Sequence, residues 1–178
     1  MTAGLPASLL LALLALLPLP LATAAAPAGA LPLSAFPRER IAVETRASFR
    51  RLMFEAWRAD SPRTREQGFM FVADTAVRPD QAMIFVYDPP ELVAMWMKNT
   101  LLPLDMLFVD VNGCVVTIKQ NAQPGSLATI GSRLPVALVV ELKAGTVAAR
   151  GIAPGDRVLR LDADWPGVTA NCARDATS

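Results

Sequence analysis

The sequence contains no histidine, only two cysteines and only three lysines among 178 residues. The absence of histidine excludes every mechanism with a histidine base, and it excludes most zinc sites. We also expect no other metal site and no cofactor. The 17 basic and 16 acidic side chains nearly balance. They form neither a basic stripe for nucleic acid nor an acidic tail, so no nucleic-acid partner is expected.

Charged side chains are also missing from the first 30 residues, where an apolar run extends from Leu9 to Leu17. Small residues follow the run at Ala24-Ala25-Ala26 and at Ala28-Gly29-Ala30. This order is typical of a secretory signal peptide, and the run is too short to span a membrane well. We expect a periplasmic or secreted protein, a mature N-terminus between residues 25 and 32, and no stable membrane insertion after the leader is removed.

Short apolar runs separated by turn residues recur through the rest of the chain. They predict strands over residues 49–58, 82–87, 92–98, 106–111, 114–120, 136–142 and 157–161. Ser61-Pro62 is a favourable helix start and Gly68 a favourable end, and a second short helix is expected after Gly145. Asn112-Gly113 predicts a hairpin turn. The pattern indicates a mainly β fold, a six- to seven-stranded sandwich or partly closed barrel with two short helices.

The most informative stretch is residues 95–106, which read Met-Trp-Met-Lys-Asn-Thr-Leu-Leu-Pro-Leu-Asp-Met. Polar groups in such an apolar run must be hydrogen-bonded or face a cleft, because burying them unpaired costs about 1–3 kcal/mol each. Trp96 and Lys98 alternate onto one strand face, and Met95 and Met97 onto the other. Trp96 and Lys98 could form a ligand-facing wall, an apolar plate beside an anion-binding charge. Alternatively, Trp96 lies in the core and the Lys98 head reaches solvent.

Four further polar residues are candidates for the same site. Asn99 and Asp105 bracket a proline bend, where they could form a binding loop or satisfy backbone groups of the bend. Glu141 lies in an apolar strand, which indicates a pair with Arg65 or Lys98 unless the position faces solvent. The candidate ligand-binding residues are Trp96, Lys98, Asn99, Asp105, Glu141 and Arg65, and no catalytic residue is assigned.

Three classes of function remain open. The first is a small exported binding or accessory domain without catalysis, whose shallow polar site lies around the Trp-Met-Lys-Asn-Thr motif and takes a small molecule or a protein. The second is a hydrolase that uses Lys98 with a carboxylate or with Ser126 or Ser132, although no Gly-x-Ser-x-Gly elbow surrounds either serine. The third is a protein-interaction module that pairs through a sheet edge.

Residues 95–110 closely resemble the signature of the domain of unknown function 192 family. Residues 64–71 (Thr-Arg-Glu-Gln-Gly-Phe-Met-Phe), 139–145 (Val-Val-Glu-Leu-Lys-Ala-Gly) and 151–156 (Gly-Ile-Ala-Pro-Gly-Asp) resemble its other segments in order. The resemblance implies a compact, mainly β, often exported domain with no settled biochemical function. We divide the chain into a signal peptide (1–30), an extended lead-in (31–48), the mainly β domain (49–161) and a C-terminal tail (162–178).

The two cysteines, Cys114 and Cys172, could pair in an oxidising compartment or remain unrelated thiols. Cys114 departs from the family pattern, in which a basic or polar residue is common at this position. The departure coincides with the additional Cys172 in the tail. This coincidence favours a disulfide that would tether the tail to the domain.

Overall fold

The computed structural model describes residues 26–163 together with Met1 and Cys172. Within this part, nine strands and two α-helices follow one another in this order: β1 (Arg38–Glu44), β2 (Arg51–Ala59), α1 (Pro62–Gln67), β3 (Gln81–Glu91), β4 (Ala94–Met95), β5 (Leu104–Val109), β6 (Val115–Ala122), β7 (Ile130–Gly131), β8 (Val136–Lys143), α2 (Thr146–Arg150) and β9 (Arg157–Arg160). Short 3-10 turns occupy Leu33–Ala35 and Asp74–Ala76.

Seven strands form one curled sheet in the order β6-β5-β8-β3-β2-β1-β9, and β4 pairs with β7 in a separate two-stranded ribbon. Only the β2–β3 pair of the large sheet is parallel. The sheet curls until its edge strands meet at one end. There the backbones of Cys114 and Arg157 form an isolated antiparallel β-bridge, and the Val158 amide donates to the Gly113 carbonyl at 2.8 Å. The fold is therefore the predicted mainly β one, in its partly closed barrel form and with two short helices.

Two apolar cores lie on the two faces of this sheet. The inner core, inside the curl, draws on all seven strands and on α2, and includes Ile41, Phe54, Ile84, Leu107, Val115, Val140, Val147 and Val158. The outer core lies between the other face and the covering segments, and includes Trp57, Phe69, Phe85, Met95, Met97, Met106 and Val139. Strand β8 is buried on both faces, which explains why its sequence is a continuous apolar run.

The signals at the helix ends are confirmed. The Ser61 hydroxyl accepts the Thr64 amide at 3.2 Å, and Pro62 occupies the first helical position. Gly68 ends α1 with a φ of +46°, and a Cβ there would lie 3.1 Å from the Phe85 ring. Glycine therefore serves both the left-handed backbone and the close packing of α1 on β3.

Three features differ from the expectation. Residues 31–48 contain β1, which pairs with both β2 and β9, so the sheet begins before residue 49. The strand expected over residues 92–98 is only the two-residue β4, because its neighbours bond to a loop rather than to a full ladder. That loop carries β7, inside a stretch predicted to lack strands.

A disulfide joins Cys114 to Cys172 with a Cα separation of 5.3 Å, which confirms the favoured pairing. Cys114 lies at the point where the edge strands β6 and β9 meet. The bridge therefore fastens residue 172 to the closed end of the half-barrel.

Candidate functional site

The Trp-Met-Lys-Asn-Thr motif directly follows β4, and the extended segment 92–98 that contains β4 covers the outer core. Side chains alternate along it: Val93, Met95 and Met97 are buried, whereas Leu92, Ala94, Trp96 and Lys98 are exposed. The ribbon is fixed by the Met97 amide, which donates to the Ser126 carbonyl at 3.0 Å, and by the Ser132 amide, which donates to the Val93 carbonyl at 2.9 Å. The alternation confirms the expected facing of Trp96 and Lys98. A core position for Trp96 is wrong, because 47% of the residue is exposed.

A shallow groove of about 410 Å³ adjoins this exposed row, between residues 98–101 and 124–127. Asn99 takes a left-handed backbone with a φ of 56°, and its carbonyl accepts the Phe71 amide at 2.8 Å. The Gly125 amide donates to the Met97 carbonyl at 3.0 Å and so ties the two walls together. The Lys98 ammonium lies 5.0 Å from the centre of the Trp96 ring. Three predicted residues, Trp96, Lys98 and Asn99, are thus brought together at one place.

Asp105 lies elsewhere, on β5, and is completely buried. One carboxylate oxygen accepts the Asn121 amide at 3.0 Å, and the other accepts the Val147 amide at 2.9 Å. The carboxylate therefore joins β6 and the start of α2 to β5. It satisfies backbone groups, as one of the two readings expected, but these groups are distant in sequence and do not belong to the proline bend.

Arg65 also lies apart from the groove lining, on α1. Its guanidinium donates to the carbonyls of Val86 at 3.0 Å and Asp60 at 3.3 Å, and it lies 5.2 Å from the centre of the Tyr87 ring. The residue therefore fastens α1 to β3. Tyr87 itself is nearly buried, and burial raises its pKa to about 12; the nearby Arg65 opposes this rise, and Glu141 adds to it.

Glu141 contradicts both expectations made for it. It is only 4% exposed, so it does not face solvent. It forms no ion pair with Arg65 or Lys98, and its Oε2 atom has no hydrogen-bond partner among the described residues. Its neighbours in register are Met83 on β3 and Met106 on β5, both in the outer core. Burial raises the pKa of Glu141 to about 8, so the side chain is a neutral acid near neutral pH.

Ser126 and Ser132, the two candidate nucleophiles, both form hydrogen bonds with the backbone. The Ser132 hydroxyl is buried and accepts the Val93 amide at 3.0 Å. The Ser126 hydroxyl accepts the Ala128 amide at 3.3 Å. Met95 and Met97, which carry potential thioether ligands, lie in the outer core, and Met95 sulfur accepts the Tyr87 hydroxyl at 3.6 Å. The described residues contain no group of three or more His, Cys, Asp or Glu that could hold a metal ion.

The sequence did not indicate the far wall of the groove. Pro124, Gly125 and Leu127 line it, and Leu127 is more than half exposed. Their only signal is an apolar side chain in an otherwise polar loop, which by itself is common at protein surfaces.

A larger cavity of about 840 Å³ lies between the loop joining β1 to β2 and the turn before β9. Its lining includes Arg46, Phe49, Arg50, Asp156 and Cys172. The neighbours of Cys172 on both sides lie outside the described residues, and none of the predicted ligand-binding residues lines this cavity. The Asp156 carboxylate is occupied by the amides of Arg46 and Ala153, both at 2.8 Å.

Comparison with known proteins decides the family, because the profile of the domain of unknown function 192 family, described as an uncharacterised ACR, matches residues 43–159. The chain belongs to this family. A crystal structure from Sinorhizobium meliloti 1021, provisionally described as a transcription regulator, is 46% identical with a TM-score of 0.67, and the match covers 70% of this chain and 95% of that one. This domain of unknown function 192 protein is thus similar to that solved structure over more than two thirds of its length.

A second solved structure, a protein of unknown function from Novosphingobium aromaticivorans DSM 12444, is 32% identical with a TM-score of 0.68. That match covers 77% of this chain and 94% of the other. Comparison with curated proteins gave no match. Membership in the family therefore indicates the fold but not the function, which has to be inferred from the site.

Proposed function

We propose that this domain of unknown function 192 protein is a non-catalytic binding domain whose site is the groove beside Lys98 and Trp96. The observation that carries the proposal is the exposed Trp96–Lys98 pair, which directly follows β4 on a segment anchored by the buried Met95 and Met97. A half-exposed tryptophan forgoes much of the stabilisation that its burial would give, since its ring is among the largest apolar surfaces a protein can bury. Its placement beside a groove favours a role in binding over a role in the core.

The groove suits an anionic group joined to an apolar part. Its lining contains one ammonium, that of Lys98, and no carboxylate. Leu101, Leu127 and Pro124 supply apolar surface, and the adjoining Trp96 ring extends it. A lysine ammonium can donate three hydrogen bonds to an anion.

The occupied polar groups favour binding over hydrolysis. Ser126 and Ser132 accept backbone amides, and both oxygens of Asp105 do the same. Glu141 is buried away from the groove lining. A hydrolytic nucleophile needs a base within hydrogen-bond reach. Neither Asp105 nor Glu141 supplies such a base next to Lys98.

We do not extend the description of the Sinorhizobium relative to this chain. Six of the described arginines form ion pairs with acids; examples are Arg40–Asp162, Arg51–Glu44, Arg58–Asp60 and Arg78–Asp80. A nucleic-acid surface needs unpaired cations in a stripe or patch. We propose a partner other than nucleic acid.

We also propose that the protein is exported. An uncharged apolar leader precedes the domain, and the disulfide between Cys114 and Cys172 suits an oxidising compartment. No helix among the described residues is long and apolar enough to cross a membrane.

The binding proposal is tested by titrating the purified, isotope-labelled protein with hexanoate and following amide resonances. We expect shifts at Lys98, Asn99, Leu101 and Leu127 and at the Trp96 indole, and we expect Lys98→Met to abolish them. Lys119→Met is the matched control, because Lys119 is an exposed lysine on β6 outside the groove lining. Shifts that persist in Lys98→Met, or that are absent from the groove, would contradict the proposal.

A further inference from the structure

We infer that the natural occupant of this surface is an extended protein segment that carries acidic and apolar side chains. The inference rests on the proposed function and deepens it by naming the class of partner. It starts from the apolar surface around the groove, which is larger than the groove itself.

Exposed large apolar side chains are concentrated on the two segments that form the ribbon and the groove. Leu92, Leu101, Leu127 and Leu134 are each more than half exposed, and Trp96 is nearly so. All five belong to residues 92–101 or 127–134, which the β4–β7 pairing and the Ser132–Val93 hydrogen bond hold side by side. Concentrated apolar exposure of this kind marks an interaction surface, whereas single exposed leucines do not.

The length of this surface exceeds that of a small ligand. Leu92 and Trp96 are four residues apart on an extended segment, about 13 Å at the usual rise of a strand. The groove continues the surface beyond Lys98 to Leu101. A single fatty or aromatic acid could fill only the groove and would leave Leu92 and Leu134 uncovered.

A main chain could lie in a trough between the exposed side chains of Leu92 and Trp96. Ala94 lies between these two side chains, and it pairs with Gly131 across the ribbon. A Cβ built on Gly131 meets no atom within 4 Å, so the space above this pair is open. An extended polypeptide could lie in the trough and direct alternate side chains to Leu92 and Trp96.

Charge indicates that the occupant is acidic. Lys98 and Arg133 are exposed on this surface, and neither makes an ion pair with a described residue. Glu91 is exposed next to Leu92, so the uncompensated positive charge is greatest at the Lys98 end. A carboxylate of the partner would therefore lie nearest Lys98, with its apolar neighbour on Trp96.

The test is a selection of random dodecapeptides displayed on phage against the immobilised full-length protein, followed by affinity measurements on the synthetic peptides. We expect enriched peptides with acidic residues spaced between apolar ones. Trp96→Ala should weaken their binding by at least about tenfold, as truncation of an interface hot spot does, and Lys98→Met should weaken it several-fold in a salt-dependent way. Phe49→Ala and Lys119→Met, matched exposed positions elsewhere, should change affinity by less than about twofold.

Several outcomes would overturn the inference. These are failure to enrich any peptide, enrichment of basic peptides, and binding that Trp96→Ala leaves unchanged. Stronger Trp96-dependent binding to phosphatidylglycerol vesicles would assign the surface to a membrane, and Trp96-dependent dimers in sedimentation would assign it to a second copy. If hexanoate still occupies the groove in any of these cases, the binding proposal survives and only the protein partner is wrong. If hexanoate also fails, both are wrong.

Discussion

Glu141 is the residue whose chemistry is least accounted for by its neighbours. A carboxyl group buried between two methionines, with no ion pair to a residue that the structure describes, destabilises the fold whenever it is charged. Such isolated acids are rare in cores, and they concentrate in sites with a function. Glu141 does not line the groove, so its first measurable effect should be on stability.

Folding stability should fall with rising pH because of Glu141. Its pKa is about 8 in the folded state and 4.5 ordinarily, so its contribution is fully present below about pH 4.5 and is lost as the pH rises through 8. Glu141→Gln should therefore be more stable than the parent by roughly 3–5 kcal/mol at pH 8.5, and close to it at pH 4.5. Urea denaturation of both proteins at the two pH values measures this, and an equal difference at both would contradict it.

Asp105 should be the opposite case, a buried carboxylate that the fold needs. Its two oxygens accept amides from Asn121 and Val147. In Asp105→Asn one oxygen becomes an NH2 group that faces another donor, so we expect a loss of roughly 2–4 kcal/mol in the free energy of unfolding. Chemical denaturation tests this against Asp88→Asn, an exposed position, which should change little. An Asp105→Asn protein as stable as the parent would refute the role.

At the scale of elements, the ribbon is held by its backbone and its buried methionines, and its exposed cation contributes little. Lys98→Met should therefore change the free energy of unfolding by less than about 0.5 kcal/mol. The double variant with Glu141→Gln should show the sum of the two single effects, because the two residues form no pair. Thermal and urea unfolding of the three variants check this. A coupling above about 1 kcal/mol would reinstate the ion pair that the sequence suggested.

Local signals were enough to predict some elements. Ser61, Pro62 and Gly68 set the ends of α1 through contacts within a few residues, and the period-two pattern placed Trp96 and Lys98 on one face. Strand β1 was not predicted, because Pro37 and scattered Arg and Glu side chains, Glu39 among them, interrupt any apolar pattern there. The structure buries the Glu39 carboxylate against Arg160, 121 residues further along the chain, with an Nε–Oε1 distance of 2.7 Å. No local pattern reveals such a partner.

The candidate site was predicted only in part for the same reason. Trp96, Lys98 and Asn99 are adjacent in the sequence and remain together in space. Asp105 and Arg65 carry side chains that serve backbone groups of other elements, and the chemistry of those side chains did not distinguish that use from ligand binding. The isolation of Glu141 could not be predicted either, because it depends on which cations the fold leaves out of reach.

For the whole molecule, the Cys114–Cys172 bridge closes a loop of 58 residues in sequence. By the loop-closure argument it should contribute about 3–4 kcal/mol to stability. We expect reduction, or Cys114→Ser, to lower the free energy of unfolding by that amount, as measured by urea denaturation with and without reductant. Thiol counting on the unfolded, non-reduced protein provides the control, and two free thiols would contradict the bridge.

The export proposal predicts the N-terminus of the mature protein. Protein purified from its native cell should begin between residues 25 and 32, because the small residues of that region suit a signal peptidase. Intact mass and N-terminal sequencing measure this directly. Recovery of protein that still carries Met1 would refute removal of the leader.

The position of β8 between two cores sets how the molecule opens. Amides of β8 have apolar layers on both sides and strands on both edges, so we expect them to exchange hydrogen for deuterium only when the whole domain unfolds. The β4–β7 ribbon has two residues in each strand, so its amides should exchange through small local openings. The surface that carries Trp96 and Lys98 can then adjust to what it holds while the sheet beneath it keeps its register.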